Sequence, residues 1–274
     1  MIIRKFSDKK PNILIFQGSP RRENSCANQV PKTQKVAEYL LDKWSPVAKL
    51  ELIDLSVGKI NIQPCKGCVS TANGMHCHWS CSCYSAGSQD KPDLMYEADI
   101  YNKLEQCDGF IIITPIHWYS VSTQVKAMFD RLVCANQTIT YEQAVEIFGK
   151  GNTKNSQLTG EAELSGQYKH LLKNHLEGKW AGFYAHGDDG ANDYDGNQPD
   201  TGDYEWDVKN SVMPLVYQCR YSGINAPDDL IESFYINKGK DYYQANLDVD
   251  HTHEFFNKAD ILIEKMIDYI LNNK

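Results

Sequence analysis

The sequence predicts an α/β domain built on a doubly wound, mostly parallel sheet of five strands. Three observations predict it. Short apolar runs alternate along the chain with segments of helical periodicity. The most apolar run, Gly109 to Pro115, shows no polar alternation, and the stretches richest in Gly, Ser, Asn and Asp follow the ends of such runs. Strands apolar on both faces belong inside a parallel sheet covered by helices, and alternating strand and helix signals are the pattern of that architecture.

Taken in order, Asn12 to Phe16 reads as a buried strand running into the turn Gln17-Gly18-Ser19-Pro20. Val36, Ala37, Leu40, Leu41 and Trp44 follow helical spacing, with Pro31 suited to the first helical position. Lys49 to Leu55 forms the second strand, Leu94 to Gln106 a helix, and Gly109 to Pro115 the third strand. A helix follows with Ser120 or Ser122 as N-cap and Val121, Val125, Met128, Phe129 and Leu132 on one face. Trp180 to Ala185 is the fourth strand, Val208 to Tyr221 a helix, and Leu230 to Ile236 the fifth strand. Phe255, Ala259, Leu262, Ile263, Met266, Ile267 and Ile270 line the closing helix. The 274 residues then form a single domain, 1–274, with a cysteine-rich loop about 58–92, an insertion about 135–174 and an acidic flap about 188–207.

Hydrophobic residues make up 42% and charged residues 23% of the chain, enough apolar side chain for a sizeable core. The net charge of -8 excludes a backbone-neutralising role on nucleic acid, which needs a basic surface. No apolar run reaches the roughly 18 residues of a membrane span, and no charged-then-apolar leader opens the chain, so a cytoplasmic protein without membrane insertion is expected. Nine cysteines is an odd number, which excludes a fully paired disulfide framework.

Two segments at strand ends carry chemistry. Gly18-Ser19-Pro20-Arg21 directly follows the first strand, where an open α/β sheet binds ligands and a helix N-terminus offers N–H groups to a phosphate. Ser19 and Arg21 are candidate phosphate contacts, and Ser25 and Thr33 are alternative hydroxyls near the helix start. Thr114-Pro115-Ile116-His117-Trp118-Tyr119-Ser120 ends the third strand. Exposed aromatics on such a loop suit a flat ligand, or else pack under the 135–174 insertion. No Gly-x-Gly-x-x-Gly follows a predicted strand and no P-loop occurs, so dinucleotide-fold and nucleotide-triphosphate readings lose their support.

The Gly18-Ser19-Pro20-Arg21 turn together with the run from Asp108 to Leu132 resembles the NADPH-dependent FMN reductase and iron–sulfur flavoprotein group of flavodoxin-like proteins, over about residues 11–134. The resemblance implies a flavodoxin-like sheet of order 2-1-3-4-5, bound FMN, NAD(P)H as co-substrate and a homo-oligomer. It also implies electron transfer to a small-molecule acceptor such as a quinone, flavin, nitro or azo compound. By the same resemblance Ser19, Arg21 and Ser25 or Thr33 hold the FMN phosphate, and Pro115, Ile116, His117, Trp118, Tyr119 and Ser120 contact the isoalloxazine. His186 and Gly187 flank it. The extended 22–30 segment departs from the group, and His117 stands where tyrosine is common. A non-enzymatic flavin or Fe-S electron carrier is the alternative reading, and a flavin-free thiol or metal sensor a third.

Cys65, Cys68, Cys77, Cys81 and Cys83, with His76 and His78 beside them, form a thiol cluster whose chemistry admits an Fe-S cluster, a Zn site or metal-free thiols. Its spacing is wider than that of iron–sulfur flavoproteins. Cys107, Cys134 and Cys219 lie in or beside apolar helices and read as small core residues.

Overall fold

A computed structural model of the chain describes residues 10–25, 28–67, 79–81, 83–84, 94–95, 97–136, 174–187, 207–236 and 252–273. Among these the elements in chain order are β1 (Asn12–Gln17), α1 (Lys32–Trp44), β2 (Lys49–Asp54), α2 (Ile100–Gln106), β3 (Gly109–His117), β4 (Ser120–Val121), α3 (Thr123–Arg131), β5 (Trp180–Gly187), α4 (Met213–Tyr221), β6 (Ile231–Tyr235) and α5 (His253–Asn272). The long strands run parallel in the order β2-β1-β3-β5-β6, which is the expected flavodoxin-like order, while the unexpected β4 pairs antiparallel with β3.

The alternation of strand side chains explains the two cores. Ile13, Ile15, Ile111, Ile113 and Tyr184 point to one face, where α1 and α5 supply Val36, Ala37, Leu40, Phe255, Leu262 and Met266. Leu14, Phe16, Phe110, Ile112 and Phe183 point to the other, beneath Tyr101, Leu104, Val125, Phe129 and Val216 of α2, α3 and α4. Strands buried on both sides need apolar residues at every position, hence the uninterrupted runs. The expected placement of Cys107, Cys134 and Cys219 holds, since all three are buried. Burial pushes the Cys107 thiol up to about 12 and raises Cys219 further.

Some boundaries differ from expectation. The helix predicted from Leu94 begins only at Ile100, because Asp99 adopts a left-handed backbone (φ 52) that breaks helical continuity upstream. The helix predicted over Val208–Tyr221 is a 3₁₀ turn, Val208–Ser211, followed by α4, with Pro214 at its first turn. Proline lacks the N–H that an uninterrupted helix would need there. The loop expected after Pro115 is instead the end of β3 and a hairpin into β4. Most of the cysteine-rich loop, nearly all of the 135–174 insertion and most of the acidic flap lie outside the described residues. No described helix is long and apolar enough to cross a membrane.

Candidate functional site

The sheet leads the chain outward from β1 to β2 and then back past β1 to β3, so the strand order reverses between β1 and β3. Crevices at such reversals, beyond the carboxyl ends of the strands, are where open α/β sheets bind ligands. Both predicted segments end there.

On the β1 side, the Gly18 N–H donates to Ile113 O at 2.7 Å, which ties the turn to β3. A Cβ on Gly18 would stand 2.5 Å from Val125 Cγ2 and 2.8 Å from Ile113 O, so only glycine lets the turn approach β3 and α3 this closely. Ser122 caps α3 by accepting from Val125 N, and its hydroxyl donates to Gly18 O. The capping serine is therefore Ser122 of the two expected, and it binds the two segments together.

The turn itself is organised by Gln17, the buried last residue of β1. Its Oε1 accepts from Ser19 N and from Thr33 Oγ1 at 2.6 Å; its Nε2 donates to Asp54 Oδ1 at 2.8 Å and to Ser19 O at 3.3 Å. Ser19 Oγ accepts from Arg21 N at 3.2 Å, and Ser25 Oγ accepts from Arg22 N at 3.0 Å. Thr33 is fully buried in α1, whereas Ser25 is half-exposed. Helix α1 starts at Lys32, one residue after the expected Pro31, with no side-chain cap and no acidic residue in its first turn. Its N-terminus thus keeps the partial positive charge that favours anions. The two arginines diverge. Arg22 lies against Gly58, where a Cβ would meet its guanidinium at 2.9 Å, whereas the positive charge of Arg21 acts on His117 of β3.

On the β3 side, His117 and Ser120 pair across a two-residue turn of Trp118 and Tyr119, both at positive φ (48 and 62). This is the signature of a type I′ hairpin turn, which ordinarily selects Asn-Gly. Two aromatic residues there are strained, at about 1 kcal/mol or more each. Trp118 is 94% exposed and Tyr119 61%. Pro115 and Ile116 are half-buried, while His117 and Ser120 lie at the exposed end. Partial burial, then the Arg21 guanidinium, hold the His117 imidazole below its usual 6.5. Pro115 registers with His186 of β5, which is buried edge-on to Phe255 at 5.7 Å. A Cβ on Gly187 would stand 3.0 Å from Ile116 Cβ, so the two strand ends close together.

Sequence reasoning missed Gln17 as a connector, and the only signal for it was a polar residue closing an apolar strand. It also missed the hairpin, whose residue types do not advertise its turn.

Comparison with known proteins decides the family. The profile described as NADPH-dependent FMN reductase matches residues 11–185, well over half of the chain. The chain belongs to the NADPH-dependent FMN reductase family. It is accordingly an NAD(P)H-dependent, FMN-using oxidoreductase by class. Comparison with curated proteins finds no match. Among solved structures, RosB with bound intermediate 8-demethyl-8-formylriboflavin-5'-phosphate superposes with a TM-score of 0.56 at 11% identity, over 96% of this chain and 81% of that one. That superposition shows the shared fold. An FMN-dependent NADH-azoreductase from Bacillus anthracis in complex with FMN gives 0.45 at 13% identity, over 91% and 98% of the two chains. A general stress protein from Treponema denticola in complex with FMN gives 0.44 at 13%, over 95% and 99%.

The family match runs through the cysteine-rich loop, whose Cys68 and Cys77 lie outside the described residues. Among the described residues no group of three or more His, Cys, Asp or Glu is arranged to hold a metal ion. Cys81 packs against the fully buried Arg131, whose Nε contacts its Sγ at 3.3 Å. Arg131 Nη1 donates to Gln63 O at 3.2 Å, and its guanidinium covers the Tyr84 ring at 4.7 Å. The end of α3 thus anchors both arms of that loop.

Proposed function

We propose that the chain binds FMN across the carboxyl ends of β1 and β3 and passes electrons from NADH or NADPH to a small acceptor such as a quinone, a free flavin, or a nitro or azo compound. The observation that carries this reading is the strained, exposed Trp118–Tyr119 turn at the end of β3, the strand to which the Gly18 turn is hydrogen-bonded. Aromatic surface held in water at a backbone cost is explained by a flat ring that covers it.

The residues fit the group. Arg21 supplies a charge-assisted donor, Ser19 a hydroxyl, and uncapped α1 an anion-favouring terminus for the phosphate. Of the two helix-start hydroxyls, Thr33 already donates its proton to Gln17, which favours Ser25 as the direct contact. Pro115, Ile116, His117, Trp118, Tyr119 and Ser120 border the ring, with His186 and Gly187 at the adjoining strand end. His117, whose protonated form is disfavoured by partial burial and by Arg21, offers a ring nitrogen for hydrogen bonding there. The bound flavin supplies the hydride chemistry, and the chain supplies its position and surroundings. A cytoplasmic location, expected from composition, and a homo-oligomeric state, expected from the resemblance, belong to the same reading.

Titration of the flavin-free chain with FMN tests it. One-to-one binding is expected, weakened about tenfold or more by Arg21→Ala, since charge-assisted phosphate contacts are among the stronger ones. Unchanged affinity removes Arg21 from the site, and binding of an adenine dinucleotide in place of FMN defeats the reading.

A further inference from the structure

The buried carboxamide of Gln17 bonds to the Ser19 backbone in the turn, to Thr33 at the start of α1 and to Asp54 at the end of β2. A primary amide has two donor hydrogens and two acceptor directions, and all four are used: Ser19 N and Thr33 Oγ1 on the oxygen, Asp54 Oδ1 and Ser19 O on the nitrogen. The orientation is unambiguous, because a flipped amide would set its NH₂ against the Ser19 N–H and its oxygen against the Asp54 carboxylate.

Three consequences follow for a phosphate. The Ser19 backbone is held by Gln17 at both its N–H and its carbonyl, so the Ser19 hydroxyl and the Arg21 side chain are what the turn offers a ligand. Thr33 is held against β1 at the helix start, which sets the approach of α1's N-terminus. Asp54 accepts at its Oδ1 from Gln17 Nε2 and from Ser56 N at 2.9 Å, so the same amide fixes where that carboxylate stands beside the turn.

We propose that Gln17 is a positioning residue that gives this site its preference for the phosphorylated flavin over the unphosphorylated one. This rests on the flavin reading above. It extends that reading to a residue that touches no ligand and acts through Ser19, Thr33 and Asp54. A buried amide serving only as packing glue would weaken both flavins together, whereas a positioning amide weakens only the one with a phosphate.

The test is the ratio of riboflavin to FMN dissociation constants, measured by flavin fluorescence on the flavin-free full-length chain. In Gln17→Leu the FMN constant is expected to rise about tenfold or more, as losing buried bonds beside a charge typically does, while the riboflavin constant stays within about twofold. An unchanged ratio, or equal weakening of both flavins, overturns the proposal. Should Gln17→Leu not fold, Thr33→Val decides alone, since it removes just one donor to Oε1. A roughly two- to fivefold fall in the ratio supports the relay, about the worth of one neutral hydrogen bond. No change, or a loss matching that of Arg21→Ala, overturns it, the latter because Thr33 would then hold the phosphate itself. Wild-type chain that binds neither flavin defeats the flavin reading, and the role of Gln17 with it.

Discussion

At the scale of single residues, Trp118 and Tyr119 trade stability for a surface. Replacing them by Asn and Gly, the pair that a type I′ turn prefers, is expected to raise thermal stability by about 1–2 kcal/mol. The same change should weaken FMN binding roughly two- to tenfold, the worth of an aromatic contact of about 0.5–1.5 kcal/mol. A calorimetric melt and an FMN titration check both; a lowered melting temperature contradicts the strain, and unchanged affinity contradicts the ring contact. His117 supplies a second residue-scale expectation. Burial first and Arg21 second lower its pKa, so the folded chain takes this proton less readily than the unfolded chain. Its contribution to stability is therefore complete above about pH 6.5 and is lost as pH falls through the lowered value. Arg21→Ala should move the His117 titration, followed by NMR of its ring protons, back up toward 6.5. A midpoint that does not move removes Arg21 from its surroundings. Of these features, the sequence showed the residue types but not their geometry. His117, Trp118 and Tyr119 read as an exposed aromatic loop, since nothing in His-Trp-Tyr-Ser names a hairpin whose turn normally carries Asn-Gly.

At the scale of elements, α1 is held at both ends by different means. Its start is tied to β1 by Thr33 and Gln17, and its far end is clamped to α5 by Asp260, which accepts from Tyr39 Oη, Lys43 Nζ and Trp44 Nε1, each at 2.7 Å. Asp260 is nearly buried, and the bond to it is the leading reason that the Lys43 ammonium is raised in pKa. Asp260→Ala removes the acceptor of Tyr39 Oη and Trp44 Nε1 and leaves Lys43 Nζ its bond to Tyr39 Oη at 2.9 Å, and it is expected to cost about 2–4 kcal/mol in denaturant unfolding. FMN affinity should stay the same, because the clamp lies toward the other end of a helix about 20 Å long. A cost below about 1 kcal/mol would show that the clamp is redundant. The helices were legible where their apolar face was continuous, as in α3 and α5. They were misread where one residue overrides the pattern, at Asp99 with its left-handed backbone and at Pro214 with its missing N–H.

At the scale of the whole molecule, the order β2-β1-β3-β5-β6 is what brings two segments nearly a hundred residues apart to one crevice. That much could be read from the chain, because β1 and β3 are apolar on both faces and their following turns differ in chemistry, one basic and hydroxylic, the other aromatic. The connector could not be read, since a glutamine closing a strand looks like any turn residue until Asp54, Ser19 and Thr33 converge on it. Nor did cysteine spacing reveal that Cys81 rests on the buried Arg131 of α3. Family membership and crevice together lead to one claim, that FMN held at the β1 and β3 ends takes electrons from a nicotinamide. Anaerobic mixing of the FMN-loaded chain with NADPH or NADH, followed at the flavin absorbance band, tests it most directly. The expected result is rapid, complete bleaching of one flavin per chain, and recovery of the band when a quinone is added. A chain that retains no FMN, or whose bound flavin stays oxidised with both nucleotides, would contradict it.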